Sequence, residues 1–393
     1  MTYAGFPKAH SGLWNCNLGY GNEAIAKTVA DALRHASYLS VWGMEHELAH
    51  AAATALVDVT ERPEFGRVLF STSGGAANDM AMKLARQYQT LSGRSERKVI
   101  LGLHGGFHGF TYGAFALSTG QLGQRMYGVD RRSVSQIVAN SASDIDRVFG
   151  KIGERVAAIF VEPVIGSGAV VLEDDYLRRL FDVRRQHGVI LIADEVTTGF
   201  GRVGPGVFAS SSWEEPPDVI VAAKGMTNGT QAASALIVST LVFERFIETG
   251  AVLGHAETQA GTPPSCAAIL ATIAEMRRLD ALRRSAALAA QLDKRLSALV
   301  GHSPFVSAAV GRGCLRALRL SDESGAPLDQ PRTDAIAAAI LEAGALVHSG
   351  PSCLQVLPAL IYSTEDLNAL LECIATGLAT FARSPGAVRG QIG

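Results

Sequence analysis

The sequence predicts an α/β fold, with a large domain built on a mainly parallel sheet covered by helices and a small α+β domain at the C-terminal end. From about residue 67 to residue 238, short apolar runs rich in valine and isoleucine alternate with amphipathic helical stretches, the pattern of a parallel sheet covered by helices. After residue 300, shorter strand-like and helical stretches mix. A chain of 393 residues, 48% of them hydrophobic, is long enough for one large domain and a smaller companion.

The predicted elements divide the chain into three parts. Residues 1–45 contribute to the small domain and the active site, residues 46–300 form the large domain, and residues 301–393 form the small C-terminal domain. One helical region from Pro263 to about residue 300 links the two domains, since proline is tolerated at a helix start. We predict strands at 67–70, 98–101, 157–161, 189–193, 219–223, 235–238, 313–320 and 353–357, and helices at 25–34, 47–57, 335–342 and 364–380.

Charge and cysteine content argue against several classes of function. The formal net charge of −2 gives no electrostatic reason to expect a nucleic acid or a membrane surface as partner. The five cysteines are scattered and never spaced as CxxC, so we expect neither disulfides nor a metal site, and a reducing cytoplasm fits best. Residues 1–11 lack the parts of a signal peptide, and no apolar run reaches membrane-spanning length.

The first apolar run of the large domain ends in small residues that lead directly into a helix. Ser73, Gly74 and Gly75 stand at this junction. Because a helix start presents unpaired N–H groups and the positive end of the helix dipole, and because glycine allows close approach, the junction is a candidate phosphate site. The alternative, a plain helix cap, stays open on this motif by itself.

Two charged residues end two apolar runs that we expect to be neighbouring strands. Asp194 follows the run 189–193, and Lys224 follows the run 219–223. Ligands of an open parallel sheet collect at the carboxyl ends of its strands. A lysine amine there can form a Schiff base with an aldehyde cofactor, and a carboxylate opposite a pyridine nitrogen keeps that nitrogen protonated. The alternative is a helix-capping aspartate and a lysine that reaches solvent or pairs with it.

A glycine-rich loop between the candidate phosphate site and these charged residues carries an aromatic residue at its centre. Phe107, flanked by Gly106 and His108, would allow stacking on a flat cofactor. Histidines in such a loop are equally compatible with surface or turn positions, so we assign His104 and His108 no acid-base role. Glu162 ends a further apolar run, and its carboxylate suits a structural role as well as a catalytic one.

Taken together, these motifs resemble, in order and spacing, those of class III (fold type I) aminotransferases, which depend on pyridoxal phosphate (PLP), and the resemblance covers residues 12–380. It implies PLP as the cofactor and an aminotransferase of the omega-transaminase type. The matching segments are the phosphate loop Ser73-Gly74-Gly75-Ala76-Ala77-Asn78, the ring-stacking loop Gly106-Phe107-His108-Gly109, the carboxylate segment Asp194-Glu195-Val196, the lysine segment Ala223-Lys224-Gly225 and the threonine loop around Thr258.

The resemblance also implies roles for individual residues. Lys224 would bind the cofactor and then move a proton between substrate and cofactor carbons, with Asp194 at the pyridine nitrogen. Phe107 and Val196 would cover the two faces of the ring. The family's threonine reaches the phosphate of the neighbouring subunit, so Thr258 implies a homodimer with shared active sites. The implied cofactor contacts are Ser73, Gly74, Gly75, Phe107, His108, Glu162, Asp194, Val196, Lys224 and Thr258.

The chain departs from the family on the substrate side. Many relatives hold the substrate α-carboxylate with an arginine whose position corresponds to Gln355 in one version and lies near His348 in the omega-transaminase version, and no arginine occurs between Arg332 and Arg383. We predict a pocket lined by Trp14, His348 and Gln355, and a ketone or aldehyde acceptor without an α-carboxylate, since burying that charge without a cation is costly. A shifted alignment or an arginine from elsewhere is the alternative.

The start of the chain carries a second resemblance. Its short N-terminal part and the segment Gly12-Leu13-Trp14 resemble aminotransferases of peptide natural-product pathways, such as those that aminate the decarboxylated C-terminus of daptides. This implies a modified peptide C-terminus as acceptor. Because a fold fixes the cofactor and not the bond that breaks, a PLP-dependent aminomutase or decarboxylase, or a non-catalytic PLP-binding protein, is the alternative.

Overall fold

The computed structural model describes residues 11–120 and 122–383 and contains two sheets with helices packed on them. In chain order the strands are β1 (Phe65–Ser71), β2 (Val99–Leu103), β3 (Val134–Ile137), β4 (Val156–Val161), β5 (Val164–Ile165), β6 (Val170–Val171), β7 (Ile190–Asp194), β8 (Val219–Ala222), β9 (Ser234–Ser239), β10 (Val306–Arg312), β11 (Leu315–Leu320), β12 (His348–Gly350) and β13 (Cys353–Val356). The helices are α1 (Glu23–His35), α2 (Glu47–Asp58), α3 (Gly74–Leu91), α4 (Tyr112–Leu117), α5 (Ala142–Ile152), α6 (Asp174–His187), α7 (Thr240–Thr249), α8 (Pro263–Arg278), α9 (Ala281–Ser297), α10 (Gln330–Glu342) and α11 (Thr364–Ala382).

The large sheet has the strand order β1-β9-β8-β7-β4-β2-β3 over the described residues. Neighbours from β8 to β3 run parallel, whereas β9 is antiparallel to both β1 and β8. Strands β2, β4, β7 and β8 are buried along their whole length, which explains their almost continuous apolar sequences, since helices cover both faces of such a sheet. The predicted α/β fold with a mainly parallel sheet is confirmed.

The small sheet pairs its strands in the antiparallel order β10-β11-β13-β12. One face, which includes Leu318 and Leu354, packs against α9, α10 and α11. The other face, which includes Ala317 and Cys353, packs against Val164 and Ala169. Because the β5–β6 hairpin follows β4 directly, this contact holds the small domain beside the carboxyl end of the large sheet.

The predicted single helix from Pro263 to about residue 300 is wrong. The region forms two helices, α8 and α9, separated at Asp280, whose φ of 50° lies in the left-handed region. Apolar residues of α8 pack in the core of the large sheet, whereas Leu288 and Leu292 of α9 pack with the small sheet. The apolar pattern continues across the break because both helices have a buried face, which concealed the turn in the sequence.

The structure contains short strands that the sequence did not predict, and some sequence predictions concern residues that the structure does not describe. The short, half-buried strands β3 and β10 were not predicted, since serine, glutamine, alanine and glycine interrupt their apolar pattern. The domain boundaries stay a prediction, and residues 1–10 and 384–393, which they include, lie outside the described residues. Within the described ranges, no helix combines the length and apolar character needed to cross a membrane. The same ranges hold no cluster of three or more His, Cys, Asp or Glu side chains arranged for a metal ion.

Candidate active site

A cavity of about 440 Å³ opens at the carboxyl end of the large sheet. Its walls include Ser73 after β1, Phe107 in the loop after β2, Asp194 at the end of β7 and Lys224 after β8. Strands β7 and β8 are neighbours, with Asp194 paired to Val221, so the two charged residues meet at one edge of the sheet. The structure therefore brings together, in one cavity, the acid and the amine that the sequence singled out.

The carboxylate of Asp194 is buried and fixed on both oxygens. Oδ2 accepts a hydrogen bond from Asn78 Nδ2 at 2.9 Å and lies 2.7 Å from His108 Nδ1, and Oδ1 accepts the backbone N–H of Val196 at 3.1 Å. Burial alone would lower the pKa of His108, but the hydrogen bond and the charge of Asp194 outweigh it and leave that pKa raised. The imidazole therefore acts as a donor that holds the carboxylate in place.

Asn78, the last residue of the candidate phosphate loop, is a site residue for which the sequence predicted no role of its own. It lies in the second turn of α3, where its amide donates to both Asp194 Oδ2 and the carbonyl of His108. Its exposed fraction is 1%, and its Oδ1 has no hydrogen-bond partner among the described residues. A polar residue on the buried face of an apolar helix was the signal that could have identified it.

Lys224 lines the cavity, where it is half-buried and its amine has two contacts. Nζ donates to Thr197 Oγ1 at 2.6 Å and lies 4.6 Å from the centre of the Trp14 ring. The pKa of Lys224 falls to about 8 because burial penalises the ammonium form more than the nearby carboxylates of Asp194 and Glu162 favour it. A lysine with such a pKa has a sizeable neutral fraction near neutral pH, as a nucleophile requires.

The candidate phosphate loop caps α3 and opens into the cavity. Ser73 Oγ accepts the backbone N–H of Ala76 at 3.2 Å. A Cβ on Gly74 would come within 3.0 Å of the Val196 side chain, and one on Gly75 within 3.3 Å of Thr111 Oγ1, so both positions require glycine-sized residues. The first N–H groups of α3 thus face a space that small side chains keep open.

Glu162 fixes the loop that carries Phe107. One carboxylate oxygen accepts the N–H of Phe107 at 3.0 Å, and the other accepts the N–H of Gly166 at 2.9 Å. Burial raises the pKa of Glu162 to about 7, with His108 opposing the rise and Asp194 adding to it. The residue therefore ties the loop after β2 to the β5–β6 hairpin, and both hydrogen bonds are to the backbone.

The three residues predicted to line the substrate pocket lie near one another, but none of them lines the cavity that holds Lys224. The Trp14 ring contacts His348 edge-on at 5.3 Å between centroids, and His348 pairs with Gln355 across β12 and β13. Gln355 Nε2 donates to the carbonyl of Gly166 at 2.8 Å. Burial lowers the pKa of His348, with Asp334 opposing it, so this imidazole is neutral at neutral pH.

Thr258 lies in a different cavity, of about 740 Å³, together with Tyr38, Trp42 and Met44. Its neighbour Glu257 accepts hydrogen bonds from the hydroxyls of Ser71 and Thr72, at the start of the candidate phosphate loop. Within one chain, Thr258 is therefore joined to the phosphate loop through its loop backbone and does not line the Lys224 cavity.

Comparison with known proteins shows the family. Residues 8–378 match the family described as Aminotransferase class-III. The chain is 30% identical to an uncharacterized aminotransferase of Bacillus subtilis, with 95% of this chain and 87% of that protein covered. It is 28% identical to the omega-amino acid--pyruvate aminotransferase of Pseudomonas putida, covering 93% and 86%. A PLP-bound amine transaminase from an uncultivated Pseudomonas species has a TM-score of 0.89 at 27% identity, covering 94% and 89%.

The residues of the cavity fit the cofactor of this family, PLP. A glycine-lined helix start would hold the phosphate, the buried carboxylate of Asp194 would face the pyridine nitrogen, and the Lys224 amine, with its lowered pKa, would bind the aldehyde. The unpartnered Oδ1 of Asn78 supplies one more buried polar atom in the same wall. The sequence prediction of PLP as the cofactor is confirmed.

Proposed function

Because the chain belongs to the class III aminotransferase family, it is a PLP-dependent, omega-transaminase-like aminotransferase, and we propose that its acceptor is a ketone or aldehyde without an α-carboxylate. The donor is an amine or an amino acid. One observation carries this proposal: the two positions at which relatives would place a carboxylate-binding arginine hold the neutral side chains of His348 and Gln355. Gln355 is buried and His348 is exposed, so a substrate carboxylate buried beside Gln355 would lack a cationic partner, and that is costly.

Within this proposal each residue of the cavity has a task. When bound, PLP supplies an aldehyde and an electron-withdrawing ring. Lys224 would bind the aldehyde, and its free amine would carry a proton from the substrate carbon and return it. Asp194 would keep the ring nitrogen protonated, and the donors around its carboxylate hold that group in place. The remaining cofactor contacts come from Ser73, Gly74, Gly75, Phe107, His108, Glu162 and Val196.

Two arginines lie close enough to be considered as replacements for the missing clamp. Arg202 is fully buried, and its Nη atoms already donate to Ser11, Asn17, Cys314 and Pro358. Its Nη donors are therefore committed to joining the N-terminal segment to the small domain, whereas its buried Nε has no hydrogen-bond partner among the described residues. Arg202 is also a wall of neither cavity described above.

Arg319 is the specific basis for a second candidate, an α-keto acid acceptor. It pairs with Cys353 on β13, two residues from Gln355, and so faces the large domain. Its Nη1 would lie 2.9 Å from a Cβ on Gly168, in the turn of the β5–β6 hairpin. Its guanidinium makes no hydrogen bond to the described residues and, like His348 and Gln355, it does not line the Lys224 cavity. We favour the carboxylate-free acceptor because the two positions that correspond to the family's arginine carry histidine and glutamine.

By this proposal the chain differs from relatives named for pyruvate, because the carboxylate of pyruvate adjoins its reacting carbonyl. A decarboxylated, carbonyl-bearing peptide C-terminus is an acceptor of the required chemistry, and we include this natural-product role on the strength of the sequence resemblance. The five free thiols support a reducing compartment such as the cytoplasm as its location.

A homodimer with shared active sites is part of the same proposal. Around the Thr258 cavity the exposed fractions of Trp42 and Met44 are 65% and 64%, which is unusual for large apolar side chains on a free surface. A second copy would cover them and bring Thr258 to its partner's phosphate loop. Sedimentation equilibrium of the holoenzyme at the mass of one chain would contradict this assembly.

An acceptor screen tests the function. With one amine donor held constant, wild-type enzyme should show a higher kcat/KM for methyl ketones, aldehydes and a peptide ending in a ketone than for α-keto acids of the same skeleton. The variant His348→Arg should gain roughly tenfold or more on the α-keto acids alone, because a charge-assisted hydrogen bond stabilises a carboxylate.

The variant Arg319→Gln distinguishes the two candidates. Under our proposal it leaves the preference for carboxylate-free acceptors unchanged. If α-keto acids are the best acceptors of the wild type, and Arg319→Gln selectively raises KM for them, Arg319 is the clamp and the proposed acceptor is wrong.

An aminomutase or decarboxylase would instead show no stoichiometric transfer of the amino group to the cofactor when the donor is added alone.

A further inference from the structure

The amine of Lys224 has a hydrogen-bond partner that lies outside the motifs of the sequence analysis. Thr197 Oγ1 accepts from Lys224 Nζ at 2.6 Å, and the exposed fraction of Thr197 is 9%. The opposite side of the amine faces the Trp14 ring at 4.6 Å. The amine thus occupies a defined position, between a hydroxyl and an aromatic face.

The turn that carries Thr197 is held rigidly by its neighbours. Glu195 is fully buried and accepts the hydroxyl of Thr198 at 2.7 Å, together with the backbone N–H groups of Ala209 and Ser210 at 3.1 and 2.6 Å. A Cβ on Gly166 would lie 3.8 Å from Thr197 Oγ1, so the β5–β6 turn passes beside the hydroxyl. The segment that carries Thr197 is therefore held by contacts that do not involve Lys224.

We propose that Thr197 positions the Lys224 amine whenever that amine is not bonded to the cofactor. The inference rests on the proposed role of Lys224. In aminotransfer the lysine is displaced and must return its nitrogen to the reacting carbons, and a four-carbon side chain loses much rotational freedom in doing so. A hydroxyl that accepts from Nζ defines the waiting position, and it leaves the nitrogen free to act as a base once its proton has moved.

The hydroxyl also influences which protonation state waits there. An acceptor at 2.6 Å favours the ammonium form, as do the carboxylates of Asp194 and Glu162, whereas burial and the Arg202 cation disfavour it. Removal of the hydroxyl takes away one favourable partner of the charged form. The pKa of Lys224 should then fall further below its usual value.

Covalent cofactor uptake by the full-length apoprotein tests the proposal without relying on turnover. In this step the neutral amine of Lys224 attacks the PLP aldehyde, a carbon–nitrogen double bond forms, and water leaves. Stopped-flow absorbance from about pH 6 to about pH 10 gives the rate against pH, and borohydride reduction followed by mass spectrometry counts the linked cofactor. The variants are Thr197→Val, which keeps the shape, and Thr197→Ser, which keeps the hydroxyl.

We expect Thr197→Val to shift the midpoint of the uptake profile downward by about one pH unit and to lower the high-pH rate about tenfold, because the neutral amine is no longer held in place. Thr197→Ser should restore both quantities towards wild type. The matched control is Thr249→Val, since Thr249 is exposed on α7 and donates only to the backbone of its own helix. It should behave as wild type.

The possible failures are distinct. If Thr197→Val matches wild type in midpoint and rate, or if Thr197→Ser fails to restore them, the inference is overturned while the role of Lys224 stands. If Lys224→Ala still yields a reducible protein-bound cofactor, the proposed function itself fails, whatever the threonine variants show. In the holoenzyme, Thr197→Val should lower kcat more than it raises KM, because the hydroxyl touches the amine and not the substrate-binding wall.

Discussion

The cofactor side of the site, around the Lys224 cavity, and the predicted substrate side, formed by Trp14, His348 and Gln355, are built from opposite kinds of side chain. On the cofactor side Asp194, Glu162 and Lys224 are ionisable and hydrogen-bonded, and the carboxylates of Asp194 and Glu162 are buried. Trp14 and Gln355, on the substrate side, carry no charge at neutral pH. Fixed charges suit a reaction in which protons and electrons move at defined atoms. A neutral wall selects its substrate because it gives a substrate carboxylate no stabilising partner.

The two sides should therefore respond differently to substitution. A buried charge stays ionised only while its partners remain, so one change on the cofactor side should alter rate by orders of magnitude. On the substrate side, where there is no charge to lose, a change should alter the preference among acceptors and leave the chemistry intact.

The largest effect should follow Lys224→Ala. Without the amine there is neither a covalent cofactor link nor a base at the substrate carbon, so we expect amine transfer to fall at least about a thousandfold. The measurements are single-turnover transfer and the absorbance of bound cofactor. Lys151→Ala, on the exposed face of α5, is the matched control. Wild-type transfer by Lys224→Ala would show that the two sides do not differ as we describe.

Asp194→Asn should have the next largest effect. The amide keeps the shape but cannot balance a protonated ring nitrogen, and it offers a donor where Asn78 already donates. We expect kcat to fall about a hundredfold with little change in donor KM, since the loss concerns the reaction and not binding. Asp174→Asn, exposed at the start of α6, serves as control. A rise in KM with unchanged kcat would move Asp194 from the chemistry to substrate binding.

Much of this arrangement follows from sequence, because apolar runs define buried strands and the residue after a strand lies at a sheet edge. That reasoning predicted the fold and the convergence of Ser73, Asp194 and Lys224 on one cavity. The positions of these residues at strand ends follow from the direction of the chain and the spacing of apolar residues, and both can be read from a short stretch of sequence.

The contacts that orient those residues depend on packing and were not predicted. Asn78 reaches Asp194 across 116 residues, and Thr197 reaches Lys224 because a turn and a strand end happen to face each other. Arg319 meets Gly168 only after the small sheet has packed on the β5–β6 hairpin. Hydroxyls and amides of this kind are common throughout the sequence, so only the assembled fold distinguishes them.

One residue, Gly166, joins the cofactor side to the substrate side. The N–H of Gly166 donates to Glu162 on the cofactor side, and the carbonyl of the same residue accepts from Gln355 on the substrate side. Of these two partners, only Glu162 titrates, and burial raises the pKa of its carboxyl to about 7. The hydrogen bond between Glu162 and the hairpin turn should therefore depend on whether Glu162 is protonated.

The smallest predicted effect is the pH dependence that this pKa imposes on stability. The folded protein keeps the proton of Glu162 up to about pH 7, whereas the unfolded chain releases it near its usual pKa of 4.5. Between these values the folded state binds more protons, so the unfolding free energy should fall as pH rises, by about 1–3 kcal/mol in total, and should level off above about pH 7. Glu162→Gln cannot titrate and should lose this slope.

The measurement is the unfolding midpoint of wild type minus that of Glu162→Gln from about pH 4.5 to about pH 8. Other titrating groups contribute equally to both proteins and cancel in the difference, while the misplaced amide donor of glutamine adds an offset that does not depend on pH. Glu96→Gln, at an exposed site, should show no difference in slope. A flat difference for Glu162→Gln would mean that the carboxylate is ionised throughout, and that the fixed charges of the cofactor side extend to the hairpin itself.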